Sequence, residues 1–246
     1  MTPAGFGQTI VTRGYPPWLT VAGANRLLIW EKFMLNRALS MIAMVSLCFA
    51  AAFPSPLLAQ EADLVNSAIG DIAFELIGQV LNVPMTPNSH QYGYLSFIDG
   101  IDSVFAATPH DETTARFTFY TQASTTQVIN NGKLRVVDRT GTTTIYLNDV
   151  PNGNFALPNT FADGTPILTM SLKQEVILDV VENTFTTVNI NTVTSASTFA
   201  ADGKRVRLGN VGHQFRTFIS GRANDTGTPA GFVIAGYVVP IASAAP

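Results

Sequence analysis

The stretch ILTMSLKQEVILDVV (residues 167–181), followed by Glu182-Asn183 and then TFTTVNINTVT (184–194), decides the fold of this chain. The first run is rich in Ile, Leu and Val and the second in Thr, Val and Ile, and turn chemistry at Glu182-Asn183 separates them. They read as one long strand and its antiparallel hairpin partner.

The same grammar extends outward in both directions. Residues 74–81, 91–98 and 116–129 read as strands, ended by Pro84 and Pro87, by Asp99-Gly100 and by Asn131-Gly132. Proline cannot donate to a ladder, and Asn-Gly supplies the positive φ of tight hairpins. Lys133–Asp138 and Thr142–Leu147 follow, with Thr140-Gly141 read as a second tight connection between them. Beyond the central hairpin, Asp202-Gly203 turns into Lys204–Leu208, and His213–Ser220 and Phe232–Val239 close the chain across Asn224–Pro229. One helical pattern exists, Ala62 to Ile72, which reads equally well as an arm leading into the first strand. The predicted class is all-β: a single antiparallel β-barrel of about eight to nine strands, with a β-sandwich as the alternative. Long strands in hairpin succession favour closure, which also removes exposed sheet edges.

The N-terminal part is of a different kind. From Met34 the chain has a short basic segment with Arg37, an apolar run from Ala38 to Phe53, a Pro54-Ser55-Pro56 break and a small residue at Ala59. These are the parts of a secretory signal peptide. The expected division is an upstream extension over 1–33, a signal over 34–59 cleaved between Ala59 and Gln60, and a secreted or periplasmic domain over 60–246. An uncleaved anchor is the alternative; otherwise contact with a membrane is confined to the transient signal segment. Cys48, the one cysteine, and both tryptophans precede residue 60, so the domain is expected to hold itself by an ordinary core without disulfides. From residue 60 onward there are ten basic and sixteen acidic residues, a net charge of −6. That balance argues against a nucleic-acid partner, and the basic run Lys204–Arg207 reads as a solvated strand end.

No nucleophile elbow, phosphate loop or His-Glu-x-x-His motif occurs, and no cofactor is expected. His90, His110 and His213 stand at no ligand-like spacing, so no metal is expected; the oxygen-rich loop Asn148–Asn154 lacks a calcium-loop pattern. Four charged strand residues carry the catalytic candidates. Glu75 shares a face with Ala73 and Ile77, Glu175 and Asp179 with Ile177 and Val181, and Arg216 with Phe218. If those faces point inward, Glu75, Asp179 and Arg216 would meet inside the barrel and a carboxylate could act as acid or base, with His213 as a further proton carrier. If the opposite faces are the core, the charges point to water. Tyr92 and Tyr94, two apart on one strand, are ligand-lining candidates or else packing residues over a barrel end. A transmembrane barrel would want a tryptophan girdle, which residues 60–246 lack, and a terminal aromatic, where this sequence reads Ile241-Ala242-Ser243-Ala244-Ala245-Pro246.

By strand count alone the architecture is similar to lipocalin-like and allene-oxide-cyclase-like barrels, a resemblance that implies no particular residues. Three functions follow as expectations. The first is binding of a small apolar or amphipathic ligand outside the cytoplasm. The second is a cyclase- or isomerase-type enzyme using an interior carboxylate. The third is a surface interaction module without a cavity. Whether the protein is an enzyme is left open by the residues themselves.

Overall fold

The structure, a computed structural model, describes residues 63–64, 67–223 and 231–242. The signal segment, its cleavage point, the upstream extension and the Asn224–Pro229 connection lie outside the described residues. Eleven strands are present among the described residues. Eight of them close a barrel: β2 (Phe74–Asn82), β3 (Asn88–Ile98), β4 (Phe117–Asn131), β5 (Leu134–Leu147), β6 (Thr165–Asp179), β7 (Thr184–Ala196), β10 (Gln214–Ala223) and β11 (Phe232–Ala242). Every neighbouring pair is antiparallel, and β11 returns to β2 with partners running from Phe232↔Val80 to Val238↔Phe74. That last ladder excludes the sandwich and leaves no barrel strand with an open edge.

β1 (Asp63–Leu64), β8 (Phe199–Ala201) and β9 (Lys204–Arg207) form a small separate sheet, with β1 parallel to β9 and β8 antiparallel to it. The described part of the 62–72 segment is therefore an arm and not a helix. Asp63 and Leu64 pair with Val206 and Arg207, and the chain turns at Ile69-Gly70, where Gly70 has φ +96°. Phe199, Ala201, Val206 and Leu208 are buried, and the Phe199 ring meets Phe117 with centroids 5.7 Å apart. They plug one end of the barrel. No such plug lies across the other end among the described residues; it is framed by the hairpins β2–β3, β4–β5 and β6–β7 and the termini of β10 and β11.

Two sequence expectations about turns need correction. Thr140-Gly141 is no connection: β5 runs unbroken from Leu134 to Leu147, and Gly141 pairs with Ala123 on one side and Leu172 on the other. Glycine stands there because a Cβ would run into the carbonyl oxygen of Gln122 and lie 2.8 Å from the Ala123 Cα. The β4–β5 turn itself uses Gly132-Lys133, since Asn131 already pairs with Leu134; only Gly132 has positive φ (+61°). Asp202-Gly203 behaves as read, with φ of +50° and +75°.

Alternation sorts the faces. On β2 the residues Phe74, Leu76 and Val80 are buried while Glu75 and Ile77 are exposed; on β6, Met170, Leu172, Gln174 and Val176 are buried while Ser171, Lys173, Glu175 and Ile177 are exposed. On these two strands the charges therefore face outward and the apolar rows fill the barrel.

Candidate ligand-binding site

The interior is built in three levels. Towards the plugged end Phe74, Leu95, Phe119, Ile145, Met170 and Val238 fill the space, with Phe74 against Phe215 at 5.6 Å, and only about 40 Å³ remains between the side chains. A polar band follows. Gln91 Nε2 donates to Gln174 Oε1 at 3.0 Å, and Gln174 Nε2 donates to Asn189 Oδ1 at 3.0 Å; all three residues are buried. Asn191 Nδ2 donates to Thr217 Oγ1 at 3.0 Å, and Thr121 and Thr143 share a hydroxyl bond of 2.9 Å. Such polar groups are ordinarily tolerated in a core when they satisfy one another; here the buried Oδ1 of Asn191 has no partner among the described residues. Gln174→Leu is thus expected to lower stability by about 2 kcal/mol, because it leaves the Gln91 amide and the Asn189 carbonyl without their partner; urea unfolding checks this.

Beyond the band, at the open end, lies a cavity of about 110 Å³. Val80, Val137, Val176, Phe185, Ile219 and Ile234 make its apolar wall. Its polar groups are Asn82, Gln91, Gln174 and Thr187, together with two guanidinium groups, Arg135 and Arg139. No Asp or Glu lines it. At the rim, Phe185 and Ile234 also border a wider, shallow groove of about 700 Å³ that takes in Leu134, Ile177, Thr186 and Val233. The enclosed site is the smaller volume; the groove lies mainly on outward-facing residues of β6, β7, β10 and β11, Asp179 and Arg222 among them, and meets the cavity at Phe185 and Ile234.

Arg139 sits where the polar band meets this cavity. Its Nη2 donates to Asn82 Oδ1 at 3.0 Å, Nη1 to Ser89 Oγ at 3.3 Å and to Gln174 Oε1 at 3.5 Å, and Nε to Thr125 Oγ1 at 3.4 Å. Every acceptor is neutral. Burial pushes the guanidinium pKa below its ordinary value. Arg135, nearer the rim, donates from Nε to Asn130 Oδ1 at 2.8 Å.

The catalytic candidates read from the sequence lie elsewhere. Glu75 and Arg216 are exposed on the outer face of β2 and β10, on the opposite side of their strands from Leu76 and Thr217. Asp179 closes β6 on the outward row, where it accepts hydrogen bonds from the backbone N–H of Val181 (2.9 Å) and Glu182 (3.1 Å). Those two bonds, Glu182 first, hold its carboxyl below the usual aspartate range. It is a turn cap at the groove's edge. His213 lies at the plugged end, where its Nδ1 accepts from the Asn210 N–H at 3.3 Å. The four residues are not brought together. The inward orientation that acid–base work required of Glu75 and Arg216 is not the one the barrel adopts, because the opposite rows are bulkier and fill the interior.

Tyr92 and Tyr94 also point away from the cavity, yet both are buried. The loop between β5 and β6, with its single 3-10 turn at Pro158–Phe161, folds over the outer face of β3. Tyr92 meets Phe161 at 5.5 Å and Phe155 at 6.2 Å, while Tyr94 meets Phe155 at 6.4 Å and Phe105 at 6.0 Å. Desolvation raises the pKa of both phenols, with Tyr120 adding to it at Tyr92, and Glu112 and Asp111 at Tyr94. They form a second apolar cluster outside the barrel wall. Among the described residues no three His, Cys, Asp or Glu side chains converge as a metal would need. His90 packs on Tyr120 at 5.6 Å and His110 stacks on Phe105 at 4.6 Å.

Arg139, Arg135 and Gln174 are the site residues that sequence reasoning missed. The expected strand ends at Asp138, with Thr140-Gly141 as a turn, which leaves Arg139 outside it and hides the alternation Arg135, Val137, Arg139 that places both arginines on one face.

Fold and site together define a closed eight-stranded antiparallel barrel, plugged at one end and hollow at the other. Comparison with protein-family models, with curated proteins and with solved structures gave no match. The likeness to lipocalin-like and cyclase-like barrels therefore stays one of strand number.

Proposed function

We propose that this protein, exported by way of the 34–59 segment, binds a small amphipathic molecule in the open half of its barrel. The observation that carries the reading is the cavity: an apolar wall with a few convergent polar groups. Binding sites for small molecules have this make-up. At about 110 Å³ the enclosed part is smaller than a drug-sized site and takes a short chain or small ring, the rest of the ligand lying over the rim. The carboxylate chemistry of the enzyme alternative has less support, since among the described residues no Asp or Glu lines that wall.

The test is a titration with 1-hexanol followed by methyl NMR. Ile219 and Ile234 methyl signals are expected to shift saturably. Ile234→Trp, which fills the cavity with a larger apolar group, is expected to weaken binding tenfold or more. Unmoved Ile219 and Ile234 signals in the native protein would sink the reading.

A further inference from the structure

We propose that the ligand's polar end is a carboxylate, held by the guanidinium of Arg139 with Arg135 beside it. This deepens, and rests on, the reading of the open half as a ligand site.

The argument begins with charge. The chain is acidic overall, yet among the described residues the charged groups that line the cavity are two arginines. The carboxylates of the neighbouring strands point the other way: Asp138 and Glu175 pair opposite each other on the outer face of β5 and β6, and Asp179 caps its own turn. Taking a cation partly out of water without a counter-ion is unfavourable, and proteins ordinarily answer it with an acidic partner. Among the described residues no acid faces the cavity.

Geometry points the same way. Arg139 has five N–H donors but makes four hydrogen bonds, and three of them, at 3.3 to 3.5 Å, are longer than well-formed N–H···O bonds. A carboxylate would convert this loose set of neutral contacts into charge-assisted, two-pronged bonding, which guanidinium groups favour. Val80, Val137 and Val176 wall the same cavity, so an anion carrying an apolar tail fits it better than a bare ion does. An apolar cavity of about 150 Å³ holds a six-carbon ring, so about 110 Å³ accommodates about four carbons of that tail.

The test compares hexanoate, 1-hexanol, hexylammonium and acetate on the intact protein, with the Ile219 and Ile234 methyl signals as the readout. Hexanoate is expected to bind at least tenfold more tightly than 1-hexanol, with hexylammonium and acetate weaker than both. In Arg139→Met the preference for hexanoate over 1-hexanol is expected to disappear while 1-hexanol still binds; Arg139→Lys, which keeps the charge and loses the fork, is expected to retain part of it. Equal affinity of hexanoate and 1-hexanol in the native protein overturns the carboxylate assignment and leaves the binding reading intact; that comparison needs no variant to fold. A preference that survives Arg139→Met overturns the role of Arg139. Silence from all four probes overturns both this inference and the binding reading beneath it.

Discussion

Gly93→Val is expected to destabilise the barrel by about 3 kcal/mol or more, the upper end of what overpacking a core costs. For a domain of this size that is a fall in melting temperature of about 6–12 °C. Gly93 lies mid-strand on β3, directly across from Gly78 on β2. A Cβ on Gly93 would run into the carbonyl oxygen of Ile77 and lie 2.5 Å from the Gly78 Cα. The obstacle is backbone, which has no side-chain rotamer to yield. The facing position is equally tight, for a Cβ on Gly78 would meet the Phe119 ring at 2.9 Å. Gly132→Ala is the matched comparison. Gly132 sits in the β4–β5 turn at φ +61° with nothing within 4 Å of the added atom, so only the strain of left-handed backbone, about 1–2 kcal/mol, is felt. Thermal melts of the two variants separate steric from conformational cost. Equal shifts would mean that the two strands do not approach so closely.

Tyr92→Ala is expected to cost about 3–5 kcal/mol, the range for truncating a buried aromatic. Its ring is fully buried and supports Phe155 and Phe161 of the loop that covers β3, so removal opens a void under that loop. Tyr92→Phe is expected to change stability by less than about 1 kcal/mol, because the hydroxyl makes only a 3.4 Å contact with Gln79. Hexanol binding in Tyr92→Phe is expected to match that of the native protein. A tenfold loss of binding there would return Tyr92 to the ligand site and contradict its place on the outer wall. Chemical denaturation gives the first quantity and the methyl titration the second.

Both effects arise from features that sequence reading treats as minor. A glycine inside a Thr-rich run looks like a turn, and at Gly141 it was read as one. In the barrel it marks a place where two backbones come too close for a side chain. The misreading had a functional consequence, since it removed Arg139 from a continuous strand and so from the interior. Tyrosines two apart in a strand are equally ambiguous. What decides Tyr92 and Tyr94 is a loop more than fifty residues further along the chain, which buries the outer face of β3 and makes it a second packing surface.

What the residues determined by themselves is local. Alternation with period two, β-branched composition and Asp-Gly punctuation specify strands and hairpins over short distances, and they suffice for an all-β antiparallel class and most strand limits. They also settle which residues share a face within a strand: Glu75 with Ile77, Arg216 with Phe218. They do not settle which face is inside. On β2 the row Ala73, Ile77, Leu81 is apolar enough to be a core, as is the row Phe74, Leu76, Val80, and a single strand gains similarly by burying either. The choice is made when β11 pairs with β2 and one surface of all eight strands turns inward together. Closure then puts the bulkier rows inside and sends Glu75 and Arg216 to water. It also carries Arg139 into a cavity without a carboxylate, because burial and the company of other charges depend on contacts between distant strands.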